Sequence, residues 1–259
     1  MDMFKLNGKN AVVVGGAGGL GQAIAQGLAE AGAKVAIASR REESLQRARQ
    51  EIKEAIGAEI SCYVADATDE ASVEALVEKT VADMGRVDIL VCAQGMNKKF
   101  PSEDFPLDVF RQMFDANVTS VMLCCKHFGR HMKENHYGKM ILLSSVRGKI
   151  ASRNAGNMGY CTTKGAVDML TRQFAADFAA DGITVNAIGP NVTETPMMKK
   201  IIEERGGDEY RKAFAKNLPL NRMPVPEDCV GPAVFLASPA SDFVTGNILY
   251  PDGGLTCVG

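Results

Sequence analysis

Tryptophan is absent from this chain, and aromatic residues make up only 6% of it. Histidine is nearly as scarce: three occur, at His127, His131 and His136. No HExxH pattern or adjacent carboxylate set accompanies them, so the expectation is no metal centre. His127 and His131 stand four apart and could pair on a metal, but the simpler reading is a partly exposed helix face. No apolar run reaches the roughly 18 residues that a membrane span needs. The formal net charge of −2 excludes a nucleic-acid or membrane surface built on bulk charge. Seven cysteines, an odd number, show no CxxC spacing. That argues against a disulfide framework and for reduced, buried thiols in a cytoplasmic protein. The opening "MDMFKLNGKN" lacks the apolar core of a signal peptide. No linker composition and no internal repeat breaks the 259 residues, so one domain over 1–259 is expected.

What is present is alternation. Short β-rich runs fall at 10–15, 34–39, 59–65, 87–92, 139–144, 183–188 and 247–251. Helical patterns lie between them at 19–31, 42–56, 69–84, 107 to about 135, and 158–180. Thr68 reads as the cap of the third helix and Gly85 as its stop. The early strands show little polar alternation, as expected when both faces are covered. The pattern predicts an α/β fold: a single-domain, Rossmann-type, doubly wound parallel sheet of about seven strands with helices on both faces. The least regular stretch, about 191–225, reads as a mobile helical flap.

The first strand runs into "GGAGGLGQAIAQGLAEAG". Gly15, Gly19 and Gly21 permit a tight turn, and the following helix offers its first N–H groups to a pyrophosphate. Downstream, "YCTTK" sets Tyr160 and Lys164 one helical turn apart. With the Gly-x3-Gly-x-Gly spacing, this chain resembles the short-chain dehydrogenase/reductase family along essentially its whole length. Val14 stands where that family usually has threonine, and "CAQG" at Cys92–Gly95 replaces its NNAG.

The resemblance implies a nicotinamide cofactor held by Gly15, Gly19, Leu20 and Gly21, by Asp66 at the adenine, and by Gly95. It also implies contacts from Tyr160, Lys164, Pro190, Val192, Thr193 and Thr195. Asn191 replaces the family's glycine after Pro190. At the end of the second strand, "IASRREE" puts Ser39 where an acid would select NAD, followed by Arg40 and Arg41. Guanidinium groups suit a 2′-phosphate, which favours NADP(H) over NAD(H); a solvated helix start is the other reading. As a bare sequence feature, Asp66 could equally be a turn or cap residue.

The resemblance further implies a catalytic set of Ser145, Tyr160, Lys164 and Asn117. Ser145 would polarise a carbonyl and Tyr160 would supply the proton. Lys164 would lower the phenol's pKa, and Asn117 would stabilise a helix bend and a water near the lysine. Ser144 is expected to satisfy backbone. Arg147, Asn157 and Met96 are candidate substrate residues, with Lys98, Lys99, Arg153 and Asn154 nearby.

"SSVRGK" and "GPNVTETP" are similar to the gluconate 5-dehydrogenase branch of the family. The expectation is a ketone–secondary alcohol oxidoreductase acting on a small keto-sugar, keto-acid or polyol. Methionines including Met158, Met197 and Met198 leave open an apolar ketone, and a non-catalytic NADP-binding regulator is a third reading. The family implies a homotetramer, with no nucleic-acid or membrane partner.

Overall fold

The computed structural model describes residues 2–152 and 156–258. Its seven strands, among the described residues, form one parallel sheet in the order β3-β2-β1-β4-β5-β6-β7. They are β1 (Asn10–Val14), β2 (Lys34–Ser39), β3 (Ser61–Val64), β4 (Ile89–Cys92), β5 (Gly138–Leu143), β6 (Ile183–Ile188) and β7 (Ile248–Leu249). β3, β4 and β7 are shorter than their apolar runs. Ladder pairing fixes their ends, whereas hydrophobic composition carries on into the flanking loops.

The helices are α1 (Gly19–Glu30), α2 (Glu42–Ile56), α3 (Glu70–Met84), α4 (Leu107–Phe114), α5 (Ser120–Glu134), α6 (Val146–Lys149), α7 (Met158–Phe178), α8 (Pro196–Glu204), α9 (Asp208–Ala215) and α10 (Val230–Ala237). Alternate residues of β1 feed two different cores. Val12 and Val14 pack with residues of α3, α5 and α7, while Ala11 and Val13 pack with α1, α2 and α10. Burial on both faces explains the near-continuous apolar strands. A one-residue slip would send each side chain into the wrong layer.

Two local expectations change, and the helical reading of a third stretch holds. The cap of α3 is Asp69, whose carboxylate accepts from Ser72 N, while Thr68 turns back to donate to Asp66. The region after 107 is interrupted by a π-helical turn at Asp115–Thr119, which separates α4 from α5. The stretch expected to be a flap holds α8 and α9, clasped by Arg211 to Glu194, Glu203 and Asp208.

The β1–β4 neighbourhood is where the strand order reverses, the switch point at which open α/β sheets bind ligands. The segments after β1, β4, β5 and β6 all emerge at that carboxyl edge. No helix of the described residues is long and apolar enough to cross a membrane.

Candidate active site

The glycine turn after β1 is built to exclude side chains. Gly15 has φ of 80° and Gly19 has φ of 54°, both favouring glycine. A Cβ on Gly15 would lie 2.5 Å from Gln94 N, and one on Gly21 would collide with the Gly15 carbonyl. Thr195, capping α8 through Met198 N, sits across from Gly19. The first N–H groups of α1 have no side-chain cap at Gly18. These features fit the pyrophosphate of a dinucleotide, because the first N–H groups of a helix lack intrahelical partners and favour an anion.

At the end of β2, Ser39 is half-buried, and Arg40 and Arg41 are exposed. Arg41 precedes α2 without making a side-chain cap. Asp66 accepts from both N and Oγ1 of Thr68, which holds its carboxyl below the usual range, with a smaller pull from the Arg40 charge. Its turn role is thus explicit in the geometry. Cys92 is a buried thiol beside Cys124 and Cys125, with its pKa raised well above the ordinary value. All seven cysteines are free. Gln94 donates to Ser120 Oγ at 3.2 Å.

Four predicted residues converge at the ends of β4 and β5. The inner face of α7 carries Gly159, Thr163, Lys164, Val167, Asp168, Thr171 and Ala175, a stripe at helical spacing that brings Lys164 under the sheet edge. Lys164 Nζ donates to the Leu143 carbonyl at 2.6 Å and lies 5.6 Å from the centre of the Tyr160 ring. Burial pulls the lysine pKa down to about 8, against the attraction of Asp168. Ser145 caps α6, accepting from Arg147 N at 3.2 Å and donating to the Pro190 carbonyl at 3.3 Å. Asn117 is fully buried in the π turn. Its amide accepts from Met96 N at 2.7 Å and donates to Met96 O at 2.9 Å and to Thr163 Oγ1 at 3.0 Å. That side chain ties the post-β4 segment, including Gly95, to α7.

The Tyr160 pKa departs from the sequence expectation. Burial raises it, and the lowering influences are the Ser145 hydroxyl bond and the Arg147 charge rather than Lys164. The ammonium bonds to the Leu143 carbonyl and lies 5.6 Å from the centre of the phenol ring. Ser144 also differs. Its hydroxyl donates chiefly to the buried Asp168 carboxylate, with a long contact to Lys164 O at 3.4 Å.

After β6, Val192 N is occupied by the side chain of Asn191, and Thr193 Oγ1 donates to Asn191 O. Among the described residues, the buried Asn191 Nδ2 has no hydrogen-bond partner. Among the substrate candidates, Arg147 Nη1 donates to Ala151 O at 2.7 Å, and the guanidinium charge lowers the Tyr160 pKa slightly against burial. Asn157 bonds Ser152 Oγ at 3.0 Å and accepts from Asn97 at 3.4 Å. Met96 is half-buried, and Lys98 and Lys99 are exposed. Arg153 and Asn154 lie outside the described residues.

Sequence reasoning missed Asn97, Asp168 and Tyr250. Asp168 had a signal: it follows Lys164 at i+4 on the same helix. Away from this cleft, His127 is buried rather than on a partly exposed face, and α3 brings Glu70 and Glu74 to it. Ligand atoms of these three lie within 4.8 Å, a carboxylate grouping that chain spacing concealed. The Lys126 ammonium already meets Glu70 at 2.5 Å. His131 accepts from Val87 N instead of joining His127.

Comparison with known proteins agrees with this geometry. A family model described as enoyl-(acyl carrier protein) reductase, of the short-chain alcohol dehydrogenase type, matches residues 15–256. Gluconate 5-dehydrogenase of Gluconobacter oxydans is 35% identical, covering 98% of this chain and 97% of that one. The 5-keto-D-gluconate 5-reductase of Escherichia coli K12 is 34% identical, covering 98% of each. A crystal structure of a gluconate 5-dehydrogenase from Burkholderia cenocepacia, in complex with NADP and tartrate, superposes with a TM-score of 0.91 at 33% identity. It covers 100% of this chain and 99% of that one. The chain belongs to the short-chain dehydrogenase/reductase family and is an oxidoreductase of CH–OH groups.

Proposed function

We propose that this protein is an NADP(H)-dependent oxidoreductase interconverting a ketone and a secondary alcohol on a carboxylated keto-sugar, with a keto-aldonate the best fit. The observation that carries this reading is Arg147. Its guanidinium is pinned by Ala151 O, and its charge is felt at the Tyr160 phenol. A fixed cation beside a carbonyl-polarising serine and a protonated phenol suits a substrate with a carboxylate near its ketone. The names of the relatives point the same way, as does tartrate, a hydroxylated dicarboxylate, in the Burkholderia complex.

A bound nicotinamide supplies or accepts the hydride. Gly15, Gly19, Leu20, Gly21, Gly95, Thr193 and Thr195 would hold the dinucleotide, with Arg40 and Arg41 on a 2′-phosphate. Ser145 Oγ turns from the Pro190 carbonyl to donate to the substrate oxygen, stabilising charge as it develops there. Tyr160, kept protonated by burial, gives its proton to that oxygen. Lys164 opposes the charge left on the phenolate, and Lys164 with Asn117 returns a proton through water. The alcohol is oxidised by the same groups in reverse. A homotetramer in the cytoplasm belongs to the same reading; light scattering tests the assembly.

The experiment is a substrate panel with NADPH, following absorbance at 340 nm. Turnover of 5-keto-D-gluconate well above that of a steroid ketone or a 3-oxoacyl thioester supports the reading. Activity confined to the apolar ketones contradicts it.

A further inference from the structure

We propose that Asp168 is a positioning residue for the Tyr160–Lys164 pair. Its buried carboxylate is the fixed counter-charge behind the Lys164 ammonium, and it joins the end of β5 and the segment after β7 to α7. The inference rests on reading Tyr160 and Lys164 as the proton-handling pair, and it adds a residue that reading does not need.

Asp168 is 5% exposed and Lys164 is 4% exposed, one turn apart on the inner face of α7. The Asp168 carboxylate accepts from the Ser144 hydroxyl through Oδ1, next to Ser145, and from the Tyr250 hydroxyl at 3.3 Å through Oδ2. A Cβ on Gly148 would lie 2.6 Å from Oδ2, so α6 passes this carboxylate only as glycine. Four segments of the chain therefore meet at one acid.

A bridge between two hydroxyls needs no charge. An amide of the same shape would serve it, and burying a carboxylate costs more than burying an amide. Burial raises the Asp168 carboxyl pKa, against the Ser144 and Tyr250 hydroxyl bonds and the Arg172 and Lys164 charges, which favour the carboxylate. Lys164 directs its bond to a neutral carbonyl, at Leu143, and burial works against its ionised form. Asp168 opposes that effect through space. The other charged and titratable groups facing the pair are few among the described residues. Arg172 donates from Nη1 to the Asp168 main-chain oxygen at 3.1 Å. Tyr160 and Cys161 lie on α7, and Arg147 on α6 acts on Tyr160. Tyr250 carries the Lys149 ammonium 5.0 Å over its ring, with Asp252 beyond.

The test needs no substrate. Lysine labelled with carbon-13 at Cε is titrated by NMR, with Lys164→Arg identifying the Lys164 resonance. In Asp168→Asn, which keeps size and hydrogen bonding, the Lys164 midpoint is expected to fall clearly below that of the parent. Asp168→Glu is expected to restore it. An unchanged midpoint in a folded Asp168→Asn protein overturns the proposal. Should Asp168→Asn fail to fold, Lys164→Met in the same chain is expected to recover folding, because the uncompensated buried charge is gone. A double variant no more stable than Asp168→Asn alone also overturns it. With 5-keto-D-gluconate, Asp168→Asn is expected to lose roughly tenfold in kcat near pH 8 with little change in KM. A parent enzyme inert on that compound contradicts the substrate reading, while the lysine titration still decides the role of Asp168.

Discussion

The Lys164 ammonium donates to the Leu143 carbonyl at 2.6 Å, tying the middle of the α7 inner face to the last residue of β5. This bond fixes the lysine beneath the phenol without pairing it to a carboxylate, and burial brings its pKa to about 8. Two opposite pH trends follow. Activity that needs a charged Lys164 is expected to decline as pH rises through about 8. Stability moves the other way. Between about 8 and the ordinary lysine value of 10.5, the unfolded chain binds a proton that the folded one does not. Stability from this group therefore rises with pH across that window, by roughly 3 kcal/mol in all at about 1.4 kcal/mol per unit. Comparing urea unfolding of the parent and Lys164→Met at pH 7 and pH 10 isolates the contribution. A difference between the two proteins that does not change with pH refutes this account of the lysine.

The glycine cradle makes a sharper steric prediction. Gly21→Ala drives a methyl into the Gly15 carbonyl, inside a turn whose other wall is Ala93. The turn must open or the helix start must shift, so NADPH affinity is expected to fall at least tenfold, with a stability loss of about 1–3 kcal/mol. Fluorescence titration of NADPH and a thermal melt measure both. Gly231→Ala, exposed in α10, meets nothing within 4 Å and serves as the control.

Cofactor choice rests on Arg40 and Arg41. Arg40→Asp is expected to raise the KM for NADPH by tenfold or more and to change that for NADH little, since a carboxylate repels a 2′-phosphate but accepts from a ribose hydroxyl. Kinetics with both cofactors check it. A parent enzyme already preferring NADH removes the argument.

Arg147→Gln removes the guanidinium near Tyr160 while leaving a polar side chain. For a carboxylated ketone, kcat/KM is expected to drop about 10- to 100-fold, and for an uncharged ketone of similar size far less. Equal losses on both substrates mean that Arg147 acts on Tyr160 rather than on a carboxylate.

The parallel sheet was readable because strands covered on both faces leave uninterrupted apolar runs such as "NAVVV", and because Gly15 and Gly21 have no steric alternative. Ser145, Tyr160, Lys164 and Asn117 were implied by the family resemblance, and the fold brings them to one sheet edge. What the sequence concealed are partners chosen across the fold. Thr68 lost the cap of α3 because Asp66 offered it a carboxylate. Ser144 found Asp168, His127 found Glu70 and Glu74, and the lysine turned to Leu143. Each depends on which atoms the packing brings within reach, and one-dimensional spacing records no such distance.

Tyr160→Phe is the most direct test of the central claim, that this phenol donates the proton in carbonyl reduction. NADPH oxidation with 5-keto-D-gluconate is compared in the parent and the variant, alongside NADPH binding by fluorescence. The account predicts a loss of at least 1,000-fold in kcat with NADPH affinity nearly unchanged. Turnover of the Phe variant within about tenfold of the parent would contradict it.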